Sequence, residues 1–379
     1  MKKYTVGALI GVVILLTIAS SEAVVSQVGA VGECDTELVG CRPVPVAAIM
    51  CANPSTCSRI TASDPSNANL LYGTDSANCR KSTDAGATWA NCTANPSTVT
   101  LLHYAVAVDG EVLAAGNGPG GTTFIIQRSS NGGTSWTNVY SSATVDGDGA
   151  AVFKQRIACA TTTLICIAGY RSAGNQLIGL HSIDGGASWI ETSMGTSLGT
   201  VVGVGINSAG TIGGVGIRSG DGALNYKGAI WNGSSWALSS VWPNTAGALC
   251  SSVFIRNADF AVFCKQTTAA EYTIRDYNGQ IQSTFTIPNG FTGVPGSYIG
   301  HMLSMTEGST APALIFGLDT RVGTSVWVSI DGSTFFQTLL LSDIGSAINT
   351  PGSAYLAHGC GYFSANQGVN PTGTVVRAC

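Results

Sequence analysis

The chain has 379 residues, a formal net charge of −4 and 10% charged residues, a balance that offers no basic footprint to nucleic acid or to an anionic membrane. Its 49 glycines beside 45% hydrophobic residues suit a β-rich fold with many tight turns. Disorder would need low hydrophobicity and high charge.

The first element stands apart from the fold. Met1-Lys2-Lys3 is a positive start, Val6 to Ile18 a short apolar run, and Ser21 and Ala23 are small residues placed as a cleavage site requires. Residues 1–23 therefore read as a secretory signal peptide. The alternative, an uncleaved anchor, is disfavoured because the run falls short of the ~20 residues a span needs. No later stretch is long and apolar enough to span a bilayer, so no membrane insertion is expected after cleavage. Twelve cysteines follow, an even number that implies disulfides behind an export signal. Metal binding would need thiolates at C-x-x-C-like spacing, which the sequence lacks, so neither metal nor cofactor is expected.

Residues 24–44 form a lead-in carrying Cys34, Cys41 and Pro43, and 45–379 form one repeat domain without a linker. The first repeat places strands near Ile49, Leu70, Cys79 and Trp89. The second begins at His103, the third at Phe153, the fourth at Val201, the fifth at Val253 and the sixth at Tyr298. Second strands read at 164–168, 260–264 and 313–317, and third strands at 124–128, 177–181 and 325–328. No helical periodicity follows the signal peptide.

Between third and fourth strands one eight-residue corner returns. Residues 182–189 read S-x-D-x-G-x-S-W through Ser182, Asp184, Gly186 and Trp189. Ser82, Asp84, Gly86 and Trp89 repeat it. Ser129, Asn131, Gly133 and Trp136 repeat it with Asn in the Asp slot. Residues 229–236 keep only the closing Gly-Ser-Ser and Trp236. Ser329 and Asp331 open a copy in which Phe336 replaces Trp, and a worn copy lies near Asp276. The chemistry is that of a hairpin turn. Ser and Asp or Asn side chains bond backbone N–H groups two residues on, Gly supplies positive φ, and Trp opens the next strand while burying its ring.

Corner starts fall at 82, 129, 182, 229, about 276 and 329, in steps of 47, 53, 47, 47 and 53 residues. A period near 50 with four short strands is that of a β-propeller blade. The tail departs from it. Tyr355 to His358 looks like a first strand and Thr374 to Arg377 like a third, and the sequence ends where a seventh corner would fall. A seventh blade would lack its last strand. The lead-in around 38–46 can supply it, pairing the chain ends and removing exposed sheet edges. Seven blades are favoured over six, in which the tail is a surface appendage.

Local cysteine pairs suit this plan. Cys79 and Cys92 bracket the first corner, while Cys51/Cys57, Cys159/Cys166 and Cys250/Cys264 sit where a first strand turns into a second. Asn91-Cys92-Thr93 and Asn232-Gly233-Ser234 fit the N-glycosylation acceptor pattern. Asp146-Gly147-Asp148-Gly149 opens like a calcium loop but lacks the later ligands, and reads as a polar loop. His103, His301 and His358 fall in first strands, which line a propeller channel, as do Arg156 and Arg256. These five are channel-lining candidates, as a metal or an anion site, although isolated polar residues on separate blades is the favoured reading.

The corners resemble the Asp-box (BNR) repeat of sialidases, sortilin-type receptors, xyloglucanases and photosystem II assembly factors, and the match covers most of the mature chain. The resemblance implies structural turns on the blade periphery, away from the sialidase active site, so Asp84, Asp184 and Asp331 are expected to be turn staples. A sialidase-like enzyme would need an Arg triad to fork the substrate carboxylate, a Tyr–Glu pair and an Asp acid/base. The family's opening Arg-Ile-Pro is absent. Arg59-Ile60-Thr61, with Asp64 after it, is the nearest echo, and no spacing selects Arg256, Arg321 or Tyr362 as further parts. No Asp/Glu pair stands out for a two-carboxylate glycosidase. The expectation is a secreted or cell-surface, non-catalytic propeller that binds a glycan or protein ligand through the face opposite the corners or the channel mouth. The alternatives are a sialidase-like glycoside hydrolase and a self-associating surface or assembly protein. Oligomeric state stays open.

Overall fold

The computed structural model describes residues 47–51, 59–74, 78–96, 100–118, 123–142, 156–172, 176–195, 201–218, 226–238, 249–256, 259–265, 271–276, 281–286, 318–319, 325–328, 336–340, 348–357, 360–367 and 373–378, with side chains described only within 62–238. All described elements are strands. After β1 (Ala47–Cys51) the first sheet holds β2 (Arg59–Asp64), β3 (Asn67–Thr74), β4 (Cys79–Ser82) and β5 (Ala90–Asn91). The second holds β6 (Thr100–Val106), β7 (Val112–Asn117), β8 (Phe124–Ser129) and β9 (Thr137–Ser141). The third holds β10 (Ile157–Cys159), β11 (Cys166–Arg171), β12 (Leu177–Ser182) and β13 (Ile190–Ser193). The fourth holds β14 (Val201–Ile206), β15 (Gly213–Arg218), β16 (Tyr226–Trp231) and β17 (Trp236–Leu238), and the fifth β18 (Leu249–Arg256), β19 (Asp259–Lys265), β20 (Glu271–Asp276) and β21 (Ile281–Thr286). The sixth shows β22 (Leu318–Asp319), β23 (Ser325–Val328) and β24 (Phe336–Leu340). The last contains β25 (Ile348–Ala357), β26 (Cys360–Gln367) and β27 (Gly373–Ala378).

The described strands make seven antiparallel sheets, six with four strands and one with three; all but the last are meanders. The inner strands β2, β6, β10, β14 and β18 adjoin in that order, and β2 also adjoins β25. Sheets therefore stack face to face around shared inner strands. That packing explains the burial pattern. Every residue of β7 and of β12 is buried, whereas the outer β9 and β13 are largely exposed. Middle strands covered on both faces read as continuous apolar runs, while outer strands do not. The core is correspondingly divided between sheets. Tyr72 and Ala62 pack with Tyr104, Val106 and Val112, Leu113 and Phe124 with Ile157 and Tyr170, and Ile167 and Leu177 with Val215 and Trp231. Each large apolar side chain so buried contributes about 1.5–3 kcal/mol, so consecutive sheets stabilise one another.

The strand near Ile49 differs from the sequence reading. It opens no first sheet. Ile49 faces Val376, and β1 is the outer strand of the last sheet, in the order β1-β27-β26-β25. The inner strand of the first sheet is β2. Corner spacing alone cannot say to which sheet a preceding strand belongs; β27 needs a partner for its outer edge, and β1 supplies it. The stretch 38–46, expected there, lies outside the described residues. Cys51 consequently sits on this closing strand and not where a first strand turns into a second. The strand read at 164–168 begins two residues later, at Cys166, because residues 160–165 close a turn in which Ala160 N–H donates to Ile165 O at 2.8 Å. The strands read at Tyr298 and at 313–317 lie outside the described residues.

Candidate functional site

The corners are built alike. In the third sheet Ser182 Oγ accepts from Gly186 N–H at 2.8 Å and donates to Asp184 Oδ1 at 2.7 Å. Asp184 Oδ1 also accepts from Ser188 N–H at 2.9 Å, and Asp184 Oδ2 accepts from Ser188 Oγ. Trp189 Nε1 donates back to Gly186 O at 3.1 Å. Ser82, Asp84, Gly86, Thr88 and Trp89 repeat the set. The expected bonds to the backbone N–H two residues on are present, Asp84 and Asp184 N–H donating to Ser82 and Ser182 Oγ at 3.4 and 3.3 Å, and shorter backbone bonds reach four residues along the chain. Partial burial pushes the Asp84 and Asp184 carboxyls up, but the bonds from Thr88 and Ser188, and from Ser82 and Ser182, outweigh it and leave both below the ordinary 3.8. Both oxygens of each carboxylate are thereby committed to the turn.

The second corner uses Asn131 in the same slot. Its Oδ1 accepts from Ser135 N–H at 2.9 Å, while its Nδ2 donates to Ser135 Oγ at 2.8 Å. Trp136 Nε1 reaches instead to Ala94 O in the first sheet, at 3.0 Å. The fourth corner exposes a residue the sequence pattern missed. Trp231 occupies the Asp slot, and Asn232 one place later holds the turn, its Oδ1 accepting from Ser234 N–H at 3.1 Å and Ser235 N–H at 2.8 Å. An Asn followed by Gly-Ser-Ser was the available signal. Ser329 and Asp331 lie outside the described residues, and Phe336 begins β24.

Corners also join sheets. A Cβ on Gly186 would come within 2.5 Å of Leu113 in the preceding sheet, and one on Gly133 within 3.0 Å of Cys92. Cys92 is bridged to Cys79, and Cys159 to Cys166, as the sequence predicts. Cys250 and Cys264 face each other across β18 and β19. Cys57 lies outside the described residues.

The opposite end of the sheets carries the starts of inner strands and the connections between second and third strands. Here Arg156, just before β10, donates from Nη1 to Asn117 Oδ1, at the end of β7, at 2.9 Å. Arg156 is 1% exposed and Asn117 2%, so a guanidinium bridges two sheets out of contact with water, where its hydrogen bonds offset the cost of burial. Around it the backbone is tied off by Phe124 N–H donating to Ser142 Oγ at 2.8 Å and by Ser172 N–H donating to Gln176 O at 2.9 Å. Phe124 stacks on Tyr170 at 4.9 Å, and Tyr140 Oη donates to Glu191 Oε2 at 2.6 Å. Burial, then the bonds to Glu191 and Tyr170, push the Tyr140 phenol far up, so it stays a neutral donor. The bonds from Arg156 to Asn117 and from Tyr140 to Glu191 tie neighbouring sheets together.

His103, on inner strand β6, is 2% exposed; like Arg156 it presents no surface to a ligand. Arg256 ends β18, while His301, His358 and the 146–149 loop lie outside the described residues. Among the described residues no group of His, Cys, Asp or Glu is placed to hold a metal ion. Asn91 and Asn232 are both exposed. Asn91 Oδ1 accepts from Arg80 Nη1 at 3.0 Å.

No family model and no curated protein sequence matches the chain. Solved structures do. One described as YCF48 bound to a D1 peptide superposes with a TM-score of 0.56 at 13% identity, covering 92% of this chain and 97% of that one. U3-55K follows with 0.54 at 9% identity over 88% and 98%, and the Dos1 propeller with 0.51 at 12% identity over 82% and 74%. At such identities the likeness concerns the fold. The fold is a β-propeller.

Proposed function

We propose that the protein is a secreted, non-catalytic Asp-box propeller, a ring of seven blades that binds a protein or glycan ligand through the loops at the end opposite its corners. The observation that carries this reading is the use of the recurring carboxylates. Asp84 and Asp184 spend both oxygens on their own turns, so the acids that the repeat supplies are turn staples. At the other end the buried bond from Arg156 to Asn117 ties two sheets together, which suits an end whose loops bind. The likeness over most of the chain to a propeller solved with a bound peptide supports a macromolecular ligand, and two disulfides among the described residues support an exported chain. Asn91 and Asn232, both exposed, are the positions a eukaryotic secretory route would glycosylate.

The test uses the purified mature chain on a peptide array and a glycan array in parallel, with a fluorogenic sialoside in solution. Saturable binding to members of one array, without turnover, is the expected result. Robust hydrolysis of the sialoside would replace the binding reading with the glycosidase one.

A further inference from the structure

We propose that Asn232 is a site of spontaneous deamidation, at which the fourth corner exchanges its neutral staple for a carboxylate. Three described asparagines, Asn117, Asn131 and Asn232, precede a glycine. A glycine has no side chain to hinder its own nitrogen, which can close a five-membered ring on the Cγ of the asparagine before it. Ring closure needs an uncommitted glycine N–H, a polarised side-chain carbonyl and an amide nitrogen free to leave. The fold supplies these unequally at the three places.

Asn117 lacks the first. Gly118 N–H donates to Thr123 O at 2.8 Å, and Asn117 is 2% exposed with its Oδ1 on Arg156. Asn131 and Asn232 are exposed, and neither Gly132 nor Gly233 spends its N–H on a partner among the described residues. Both carbonyls are polarised. Asn131 Oδ1 accepts from Thr134 N–H at 3.1 Å, Ser135 N–H at 2.9 Å and Ser129 Oγ at 3.0 Å. Asn232 Oδ1 accepts from Ser234 N–H at 3.1 Å and Ser235 N–H at 2.8 Å, and from their hydroxyls at 3.0 and 3.3 Å. Donors gathered on one carbonyl oxygen stabilise the charge it gains when its carbon is attacked. The leaving nitrogens decide between the two. Asn131 Nδ2 donates to Ser135 Oγ at 2.8 Å, a bond lost as the amine departs. Asn232 Nδ2 has no partner among the described residues, because the hydroxyls of Ser234 and Ser235 are turned to Oδ1. One hydrogen bond of ordinary net strength slows Asn131 about fivefold.

In the reaction Gly233 N bonds to Asn232 Cγ and gives its hydrogen to water. The Cγ–Nδ2 bond breaks, and the nitrogen leaves as ammonia with a proton from water. A second water opens the ring, so the sum consumes one water, releases one ammonia and oxidises nothing. Opening at Cγ restores the backbone and leaves a charged acceptor for the N–H groups of Ser234 and Ser235, as at Asp84 and Asp184. Opening at the main-chain carbon routes the backbone through the side chain and undoes the corner. Either product removes the nitrogen that an N-glycan would occupy, so the two modifications of Asn232 exclude one another.

The test ages the mature protein, made without N-glycans, at mildly alkaline pH, both folded and unfolded in urea. Reduced tryptic digests place the three asparagines in peptides 82–128, 129–154 and 228–256, where fragment masses locate each conversion. In the folded chain Asn232 should deamidate about fivefold faster than Asn131, with Asn117 slowest, and in urea the three rates should converge. Ser135→Ala removes the anchor of Nδ2 and should bring Asn131 up to the rate of Asn232. Asn131 matching or outrunning Asn232 in the folded native chain, or no conversion at 232 while the unfolded chain converts, overturns the assignment. An unchanged Asn131 rate in Ser135→Ala refutes the anchoring on which the ranking rests.

Discussion

A glycine at positive φ can be needed for its backbone angle, for its missing side chain, or for both, and two glycines of this chain separate the reasons. Gly110 has φ +83° and open space where a Cβ would go. Gly186 has φ +84°, but its Cβ would lie 2.5 Å from Leu113 of the neighbouring sheet. Gly110→Ala should therefore cost only the strain of the angle, about 1 kcal/mol. Gly186→Ala should cost about 1–3 kcal/mol more, because a packed neighbour must move. Urea midpoints of the two variants check this, and equal losses would mean that the corner does not press on the next sheet. Asn131 gives a change in the other direction. It fills a slot that Asp fills at 84 and 184, and its Nδ2 makes Ser135 accept a bond that Ser188 donates at the equivalent place. In Asn131→Asp the Ser135 hydroxyl can turn and donate, and charged acceptors bind the turn's N–H groups more strongly. The variant should gain about 0.5–1 kcal/mol at pH 7. A carboxyl held below its unfolded value stabilises above that value and loses the gain as pH falls through the folded one. The gain should thus shrink as pH falls below the ordinary 3.8 and vanish once the folded-state carboxyl is protonated, which thermal melts along an acid pH series would show.

At the level of elements, the contact between the third and fourth sheets contains a titratable ring. His181 on β12 is 9% exposed and stacks on Trp231 at 4.5 Å, with its Nδ1 buried and making no hydrogen bond. Its register neighbours are Ile167 on β11 and Ile190 on β13, and Trp231 spends its own Nε1 on Gly210 O. Burial holds the imidazole below its ordinary 6.5. A base depressed in the folded state stabilises above its unfolded pKa; as pH falls below 6.5 the unfolded chain takes up the proton first and stability declines, levelling below the folded pKa. Urea midpoints from pH 8 to 5 should fall for the native chain and stay flatter for His181→Phe. Elements were the most legible feature of the sequence. The third strands at Phe124, Leu177 and Ser325 begin where alternation and the following corner place them, because a hairpin turn and its flanking strands are written locally. Less legible was anything decided by another sheet. Ile49 reads as a first strand in isolation and becomes a closing strand only because β27 lacks a partner. Arg156 and His103 read as channel residues from their strand, whereas their burial depends on neighbouring sheets that the local sequence does not contain. Asn232 escaped because the fourth corner shifts its staple by one residue.

For the whole molecule, the pairing of β1 with β27 decides how the outer edge of the last sheet is covered. Each of the first five sheets takes its outer strand from the residues directly after its corner, but the last takes β1 from the opposite end of the sequence. Without β1, strand β27 would present a row of unpaired N–H and C=O groups, a template for another chain. A mature chain truncated through Cys51 should therefore still form the first four sheets, whose cores lie between consecutive sheets, yet self-associate with rising concentration through the open edge of 373–378. Light scattering after size exclusion would follow that association. A synthetic peptide spanning 45–52 added in trans should suppress it by taking the vacant edge as an added strand, and a scrambled peptide should not. If the truncated chain stays monomeric at all concentrations, with native amide protection over 373–378, the closing strand is dispensable.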